Sequence, residues 1–175
     1  MQEMTFRGNL KDFLDSKKLD ILKLIRFGII SESDLLNDFQ ITMPAVNFNN
    51  PVDIIRIDDD KWNQTIYVLK FAITGDTTVL DYKPSTSFIT MPEWVIKNQE
   101  IWFRMEESDL ETMKIQIDGI IETFKSHLSD VNADVIVYNT TLGTDIQKLI
   151  SSHSNRINDK NKNLEEIRNH LLFRD

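Results

Sequence analysis

The stretch VNADVIVYNTTLGTDIQKLI, from Val131 to Ile150, decides the fold of this 175-residue chain. Its first half, Ala133 to Thr141, is rich in β-branched and aromatic residues, which favour strands. The apolar residues nevertheless recur at steps of three and four, and residues 135–138 form an unbroken apolar run where a half-buried strand would alternate. A local strand preference is small beside a helical pattern summed over many residues. We therefore predict a helix for this stretch.

The same helical spacing extends on both sides of the stretch. Apolar residues form a seam, called here the predicted seam, at Ile117, Ile121, Phe124, Leu128, Val131, Val135, Tyr138 and Leu142. After an interruption at Asp145 the pattern resumes, shifted by one residue, at Ile146, Ile150, Ile157, Leu164, Ile167 and Leu171. One continuous helix of about 60 residues would be about 90 Å long, which is too long for one small domain to cover. The sequence therefore predicts long C-terminal helices that form either a hairpin or a coiled-coil arm.

Local signals predict where these helices begin and where they could fold back. The sequence SDLE, Ser108 to Glu111, matches a capping box immediately before the apolar periodic run. The weakest points of the helix are residues 129–132, residues 139–144, where Gly143 lies, and residues 151–154. A hairpin would turn at one of them.

The front of the chain has a different character, because all four prolines lie within the first 92 residues. An amphipathic helix is predicted from Leu10 to Phe27 with Gly28 as its stop, and Ser31 or Ser33 can cap a short second helix. Strands are predicted for VDIIRI, QTIYVLKFAIT and EIWFRMEE. The pair Gly75-Asp76 is predicted to reverse the chain into a return strand, TTVLDY.

These elements predict an α+β fold with N-terminal helices, a small and mostly antiparallel sheet, and the long C-terminal helices. We divide the chain into an α+β domain, residues 1–107, and a helical arm, residues 108–175. The arm is expected to pack on the sheet or on another chain, because its apolar seam has to be covered.

Charge and composition bound the classes of partner. The formal net charge is −8, from 28 acidic and 20 basic residues, and this disfavours nonspecific binding to nucleic acid. An alternative hypothesis is a nucleic-acid-binding module centred on Arg156, Lys160 and Lys162, in a basic run that continues through Arg168 and Arg174. Without cysteine or a long apolar run, the sequence favours a cytoplasmic protein with no membrane span.

A second alternative is a metal-dependent nuclease. Enzymes of the PD-(D/E)xK type place one acid on a strand and a D/E-x-K triplet on the next, so that the carboxylates hold Mg²⁺. Asp58 and Asp60 precede the triplet that begins at Asp81 and ends at Lys83. The triplet is short and common, and three adjacent aspartates before Lys61 are more typical of a solvated turn. We assign no catalytic residue, metal or cofactor outside this alternative, since phosphate-loop, dinucleotide and zinc-protease signatures are absent from the sequence.

One part of the sequence resembles a group of uncharacterised bacterial proteins. The similarity covers about Val52 to Asn158 and includes KPSTSF at Lys83 to Phe88 and the helical element YN-x-x-L, formed by Tyr138, Asn139 and Leu142. In those proteins this region precedes a restriction-endonuclease-like domain. The sequence reaches only Asp175, so the resemblance implies no catalytic residue here. It implies a role in sensing, docking or oligomerisation, linked to defence against foreign DNA.

The residues and the resemblance together favour a non-catalytic domain that binds a protein partner or a second copy of itself. The predicted seam is its expected assembly surface. A nuclease-type effector is the partner that the resemblance suggests.

Overall fold

The computed structural model describes residues 5–28, 31–59, 64–86 and 94–172. Its elements in chain order are α1 (Leu10–Phe27), α2 (Glu32–Phe39), β1 (Ala45–Val46), β2 (Asp53–Asp59), β3 (Gln64–Thr74), a 3₁₀ helix (Thr77–Asp81), β4 (Trp94–Lys97), β5 (Glu100–Glu106) and α3 (Leu110–Leu172). The α+β class predicted from the sequence is confirmed. The stretch from Val131 to Ile150 lies inside α3, so its helical periodicity prevails over its local strand preference.

Helix α3 begins one residue later than the predicted capping box requires. The Asp109 carboxylate accepts hydrogen bonds from the Thr112 backbone N–H at 3.0 Å and from the Thr112 hydroxyl at 2.6 Å. These bonds lower the pKa of Asp109, since they stabilise its charged form. Ser108 does not cap the helix, and Glu111 pairs instead with Lys114 at 2.7 Å. A carboxylate caps as well as a hydroxyl, and here it also accepts a second bond.

All three predicted fold-back points are helical in the structure. Helix α3 contains 63 residues and passes through residues 129–132, 139–144 and 151–154 without a break. The hairpin alternative is therefore wrong. A helical glycine such as Gly143 costs only about 1 kcal/mol relative to alanine. Its neighbours Leu142 and Ile146 are buried, and burial of each contributes about 1.5–3 kcal/mol.

The sheet is antiparallel at every strand pair that the structure describes, and β3 lies at its centre. One edge of β3 pairs with β5, which pairs in turn with β4, and the other edge pairs with β2 and, at its end, with β1. The β4–β5 hairpin turns at Asn98 and Gln99, whose φ angles of 54° and 61° are those of a type I′ turn. The sequence prediction missed β1 and β4, which are only two and four residues long.

The predicted return strand TTVLDY is wrong. The chain reverses at Gly75 as expected, but residues 77–81 form a 3₁₀ helix that the Asp76 side chain caps through the Thr78 N–H at 3.1 Å. Val79 and Leu80 are buried together within it, which a half-exposed strand would not allow. Gly75 has φ of 84°, and an added Cβ would lie 2.3 Å from the Met43 carbonyl oxygen. Only glycine fits there.

The chain forms two compact units that interleave along the sequence. The first contains Met1–Leu14 and Ile41–Val137, and the second contains Asp15–Gln40 and Tyr138–Asp175. This division differs from the predicted boundary between residues 107 and 108. Both α1 and α3 contribute to each unit, because a helix is long enough to supply one part of its apolar face to each core.

Most of the core of the first unit lies on one face of the sheet, although Ile66 and Val68 of β3, which point to the opposite face, are also buried. Alternate residues of β3 and β5 point to the first face, and α3 adds Phe124. The Phe124 ring lies 5.6 Å from Phe103, 5.0 Å from Trp94 and 5.9 Å from Phe48, in each case close to edge-on. Such edge-to-face contacts add to the stabilisation from buried area.

Candidate interaction surface

The predicted seam is largely buried within the chain. Phe124, Val131, Val135, Tyr138 and Leu142 are each 3% exposed or less. The remaining members, Ile117, Ile121 and Leu128, are half-buried. This part of α3 therefore contributes to the cores of the two units, and most of its apolar surface is not available to a partner.

In the first unit a histidine beside the predicted seam is buried. His127 is fully buried, and its ring lies 4.7 Å from Trp94 and 5.5 Å from Phe6. Neither ring nitrogen has a hydrogen-bond partner within the described structure. Burial lowers the pKa of His127 to about 4, and the nearby Asp130 carboxylate opposes this shift. His127 is neutral at pH 7 and packs as an aromatic core residue.

A loop from the sheet side is attached to α3 beside this histidine. The Ser85 backbone N–H donates to Asp134 at 2.9 Å, and the Thr86 hydroxyl donates to Asp130 at 3.0 Å. These bonds give a structural role to part of the KPSTSF motif. Ser87 and Phe88 lie outside the described residues.

In the second unit, polar contacts explain the residue that interrupts the sequence pattern. Asp145 forms a salt bridge with Lys18 of α1 at 2.8 Å, and Gln147 donates to Glu32 of α2 at 2.9 Å. Burial, together with the Asp145 charge, raises the pKa of the Tyr138 hydroxyl to about 12. Asp145 therefore faces α1 of the same chain and does not break the helical register.

The last part of α3 differs from everything before it, because residues 154–171 are all exposed. Four large apolar side chains in this segment are each about half exposed: Ile157 at 47%, Leu164 at 57%, Ile167 at 56% and Leu171 at 61%. We call these four residues the C-terminal stripe. They are the exposed continuation of the pattern whose earlier members are buried.

The C-terminal stripe has the spacing of a coiled-coil seam. Ile157, Leu164 and Leu171 recur every seven residues, and Lys160 and Ile167 fall three residues after the first two. These are the a and d positions of a heptad, which lie on one side of a helix. The stripe is thus an apolar face that Lys160 interrupts between Ile157 and Leu164.

Basic residues surround the beginning of the stripe. A groove of about 400 Å³ in the second unit is lined by Leu22, Arg26, Leu149, Ser152, His153, Arg156, Ile157 and Lys160. None of the described acidic residues lies within salt-bridge distance of Arg26, Arg156 or Lys160. The sequence offered no signal for the contribution of Arg26, since it is remote from Arg156 along the chain.

The residues of the nuclease alternative have separate partners. Asp58 accepts from the Thr65 hydroxyl and from Arg56, both at 3.0 Å, while Asp81 pairs with Arg7 at 3.3 Å. Asp81 ends a 3₁₀ helix rather than a strand, and Lys83 follows it. Asp60 lies outside the described residues. No group of three or more acidic or histidine side chains in the described part of the chain could hold a metal ion.

The residues of the nucleic-acid alternative do not share one face of α3. At about 100° per residue, Arg156 and Lys160 lie about 40° apart around the helix, while Lys162 lies on the opposite side. All three are exposed. Two of them line the groove beside the stripe, and the third does not extend that basic surface.

Across residues 5–28, 31–59, 64–86 and 94–172, none of the helices combines the length and hydropathy needed to cross a membrane. No protein-family model, curated protein or solved structure matches this chain.

Proposed function

We propose that this protein is a non-catalytic interaction or assembly domain that binds another chain through the C-terminal stripe. The observation that carries the proposal is the contrast in burial along one helix: the same apolar periodicity is covered from Phe124 to Ile146 and uncovered from Ile157 to Leu171. The docking surface is therefore located later in α3 than the predicted seam.

The energetics of the exposed segment support this proposal. The exposed end of α3, residues 154–171, has little tertiary packing to support it. Helices without such packing are marginally stable in water, because few contacts offset the cost of ordering the chain. Complete burial of one leucine or isoleucine contributes about 1.5–3 kcal/mol. A partner helix that covers the four residues of the stripe would therefore stabilise both the contact and the end of α3.

The resemblance noted above suggests a nuclease-type effector of bacterial defence as the class of partner to examine first. In that role the compact units present the stripe, and the effector supplies the chemistry. A covering helix from any protein would bury the stripe, so docking through the stripe does not require this particular class of partner.

The test compares variants on two sides of the same segment. The protein is expressed in a bacterial host, incubated with bacterial extract and then purified. Light scattering measures the mass of each complex. Leu164→Glu combined with Ile167→Glu should abolish the complex and leave a monomer of 20.5 kDa. Asn169→Glu, about 160° from Ile167 around the helix, should retain it.

Thermal unfolding of all variants should be unchanged, because the substituted residues are exposed. A wild-type chain that stays monomeric under every condition, or a complex that survives the double substitution, contradicts the proposal.

A further inference from the structure

We infer that the occupant of the C-terminal stripe is an acidic amphipathic helix from another protein, whose carboxylates lie against Arg26, Arg156 and Lys160. The inference rests on the proposed function and specifies the partner of that surface. Its basis is the distribution of charge around the stripe.

The flanks of the stripe are basic. With about 100° between successive residues, Arg156 and Arg168 lie about 60° to either side of the stripe centre. In a heptad they occupy g and e positions, which contact the flanks of a partner helix and select it by charge. The other flanking positions are His170 and two asparagines, Asn161 and Asn163. No acidic residue occupies a flanking position in this segment.

The acidic residues of the segment lie elsewhere on the helix. Asp159, Glu165 and Glu166 are at b and c positions, at least about 120° from the centre of the stripe. They are too far around the helix to pair with the arginines of a second copy docked on the stripe. The contact face is therefore positively charged although the whole chain has a net charge of −8.

Lys160 opposes self-association. It lies at a d position within the stripe, so a parallel dimer would place two Lys160 ammonium groups against each other. An antiparallel dimer would still bring basic flanks against basic flanks, which is unfavourable. A glutamate on the partner opposite Lys160 removes this cost and forms an ion pair.

The groove at the start of the stripe extends the basic surface onto α1. Arg26 lies in the last turn of α1, and it lines the same groove as Arg156 and Lys160. The three cationic side chains have no described salt-bridge partner. A helix that packs on Ile157 and Leu164 would direct its flanking carboxylates toward this groove.

Synthetic helical peptides of about four heptads provide the probe. They share leucine at the core positions other than the one opposite Lys160, and they differ at that position and at the flanks, which carry glutamate, glutamine or lysine. Binding to the full chain is measured by fluorescence polarisation at low and at high salt. The glutamate peptide should bind about tenfold tighter than the glutamine peptide, and salt should reduce this difference. The lysine peptide should bind weakest.

Charge reversal on the protein tests the assigned residues. Combining Arg26→Glu, Arg156→Glu and Lys160→Glu should reverse the order, so that the lysine peptide binds tighter than the glutamate peptide. Lys162→Glu is the matched control, because it removes a base from the opposite side of the helix, and it should leave the order unchanged. Circular dichroism checks that each variant keeps its helical content.

The outcomes separate this inference from the proposed function. Equal binding of the glutamate and glutamine peptides overturns the acidic partner while leaving helix docking intact. A stable homodimer lost on Leu164→Glu also overturns it, because the occupant is then a second copy. If inorganic phosphate binds in the groove and no peptide does, the acidic helix is overturned and the groove is an anion site. If no peptide binds and the chain stays monomeric in extract, both proposals fail.

Discussion

Helix α3 contains two stretches with similar helical spacing of apolar residues, one from Phe124 to Ile146 and the other from Ile157 to Leu171. In the first stretch the aromatic sheet face and the N-terminal helices cover the apolar side chains, each within its own compact unit. In the second stretch every residue is exposed. Periodicity therefore identifies the face of a helix that has to be covered. Burial then shows which part of that face the chain itself covers.

The two stretches also differ in what occupies the positions between their apolar residues. In the first, a buried polar ring at His127 and an ion-paired carboxylate at Asp145 interrupt the apolar pattern. In the second stretch, Lys160 lies between the apolar residues of the stripe, and no salt bridge is described for it. These two polar groups are thus neutral or ion-paired where the helix is packed, whereas Lys160 is exposed without a described salt bridge.

The largest expected effect compares one residue from each stretch. Phe124→Ala should lower the free energy of unfolding by about 3–5 kcal/mol, since it leaves a cavity among several aromatic rings. Leu164→Ala should change it by about 0.5 kcal/mol or less in the isolated chain. Urea denaturation followed by tryptophan fluorescence measures both changes, because Trp94 lies 5.0 Å from Phe124. Equal losses would show that the second stretch is also packed.

The next effect concerns His127 in the first stretch. Its pKa is about 4 in the folded protein and about 6.5 in the unfolded chain. Between these values the unfolded chain binds the proton and the folded protein does not. Stability from this residue is therefore complete above pH 6.5 and is lost as the pH falls toward 4, by about 3 kcal/mol in total.

The measurement for His127 is the free energy of unfolding at several pH values from 7.5 to 4.0, for the wild type and for His127→Phe. The phenylalanine keeps the ring contacts and cannot be protonated. It should show a weaker loss of stability with acid, although carboxylates contribute the same background to both proteins. His170→Phe in the exposed stretch is the matched control, and it should follow the wild type. Identical profiles for His127→Phe and the wild type would contradict the burial of a neutral imidazole.

The smallest effect separates helix propensity from packing. Gly119 lies in α3 at an exposed position, and an added Cβ would meet nothing within 4 Å. Gly119→Ala should raise the free energy of unfolding by about 1 kcal/mol, measured by thermal denaturation. Gly75→Ala should have the opposite sign, because Gly75 has φ of 84° and its Cβ would collide with the Met43 carbonyl. A loss of stability in both variants would mean that α3 is more crowded at Gly119 than the structure shows.

The sequence predicted the helices better than it predicted the loops and the short strands. The bounds of α1 agree with the prediction, and Ser31 caps α2 through the Asp34 N–H at 3.2 Å. These features depend on nearby residues, and local patterns therefore reveal them. The 3₁₀ helix at Thr77–Asp81 was mistaken for a strand, because β-branched residues favour strands only when a neighbouring strand is available to pair.

The candidate surface was predicted only in part. The sequence identified the apolar residues of α3, including Ile157, Leu164, Ile167 and Leu171, but it assigned assembly to the earlier predicted seam. Which members are buried depends on contacts between residues remote in sequence, such as Phe124 with Phe103 and Lys18 with Asp145. A single sequence contains no local signal for such contacts.

By itself the sequence determined that the chain from Leu110 to Leu172 is helical, which residues share its apolar face, and that the protein combines this helix with an antiparallel sheet. Helical and strand periodicities are properties of the local backbone, so the order of side chains is sufficient to reveal them. Only the tertiary structure decided that Phe124 to Ile146 is covered and that Ile157 to Leu171 is not. That outcome depends on how far the other elements extend along α3, which is a property of the packed chain as a whole.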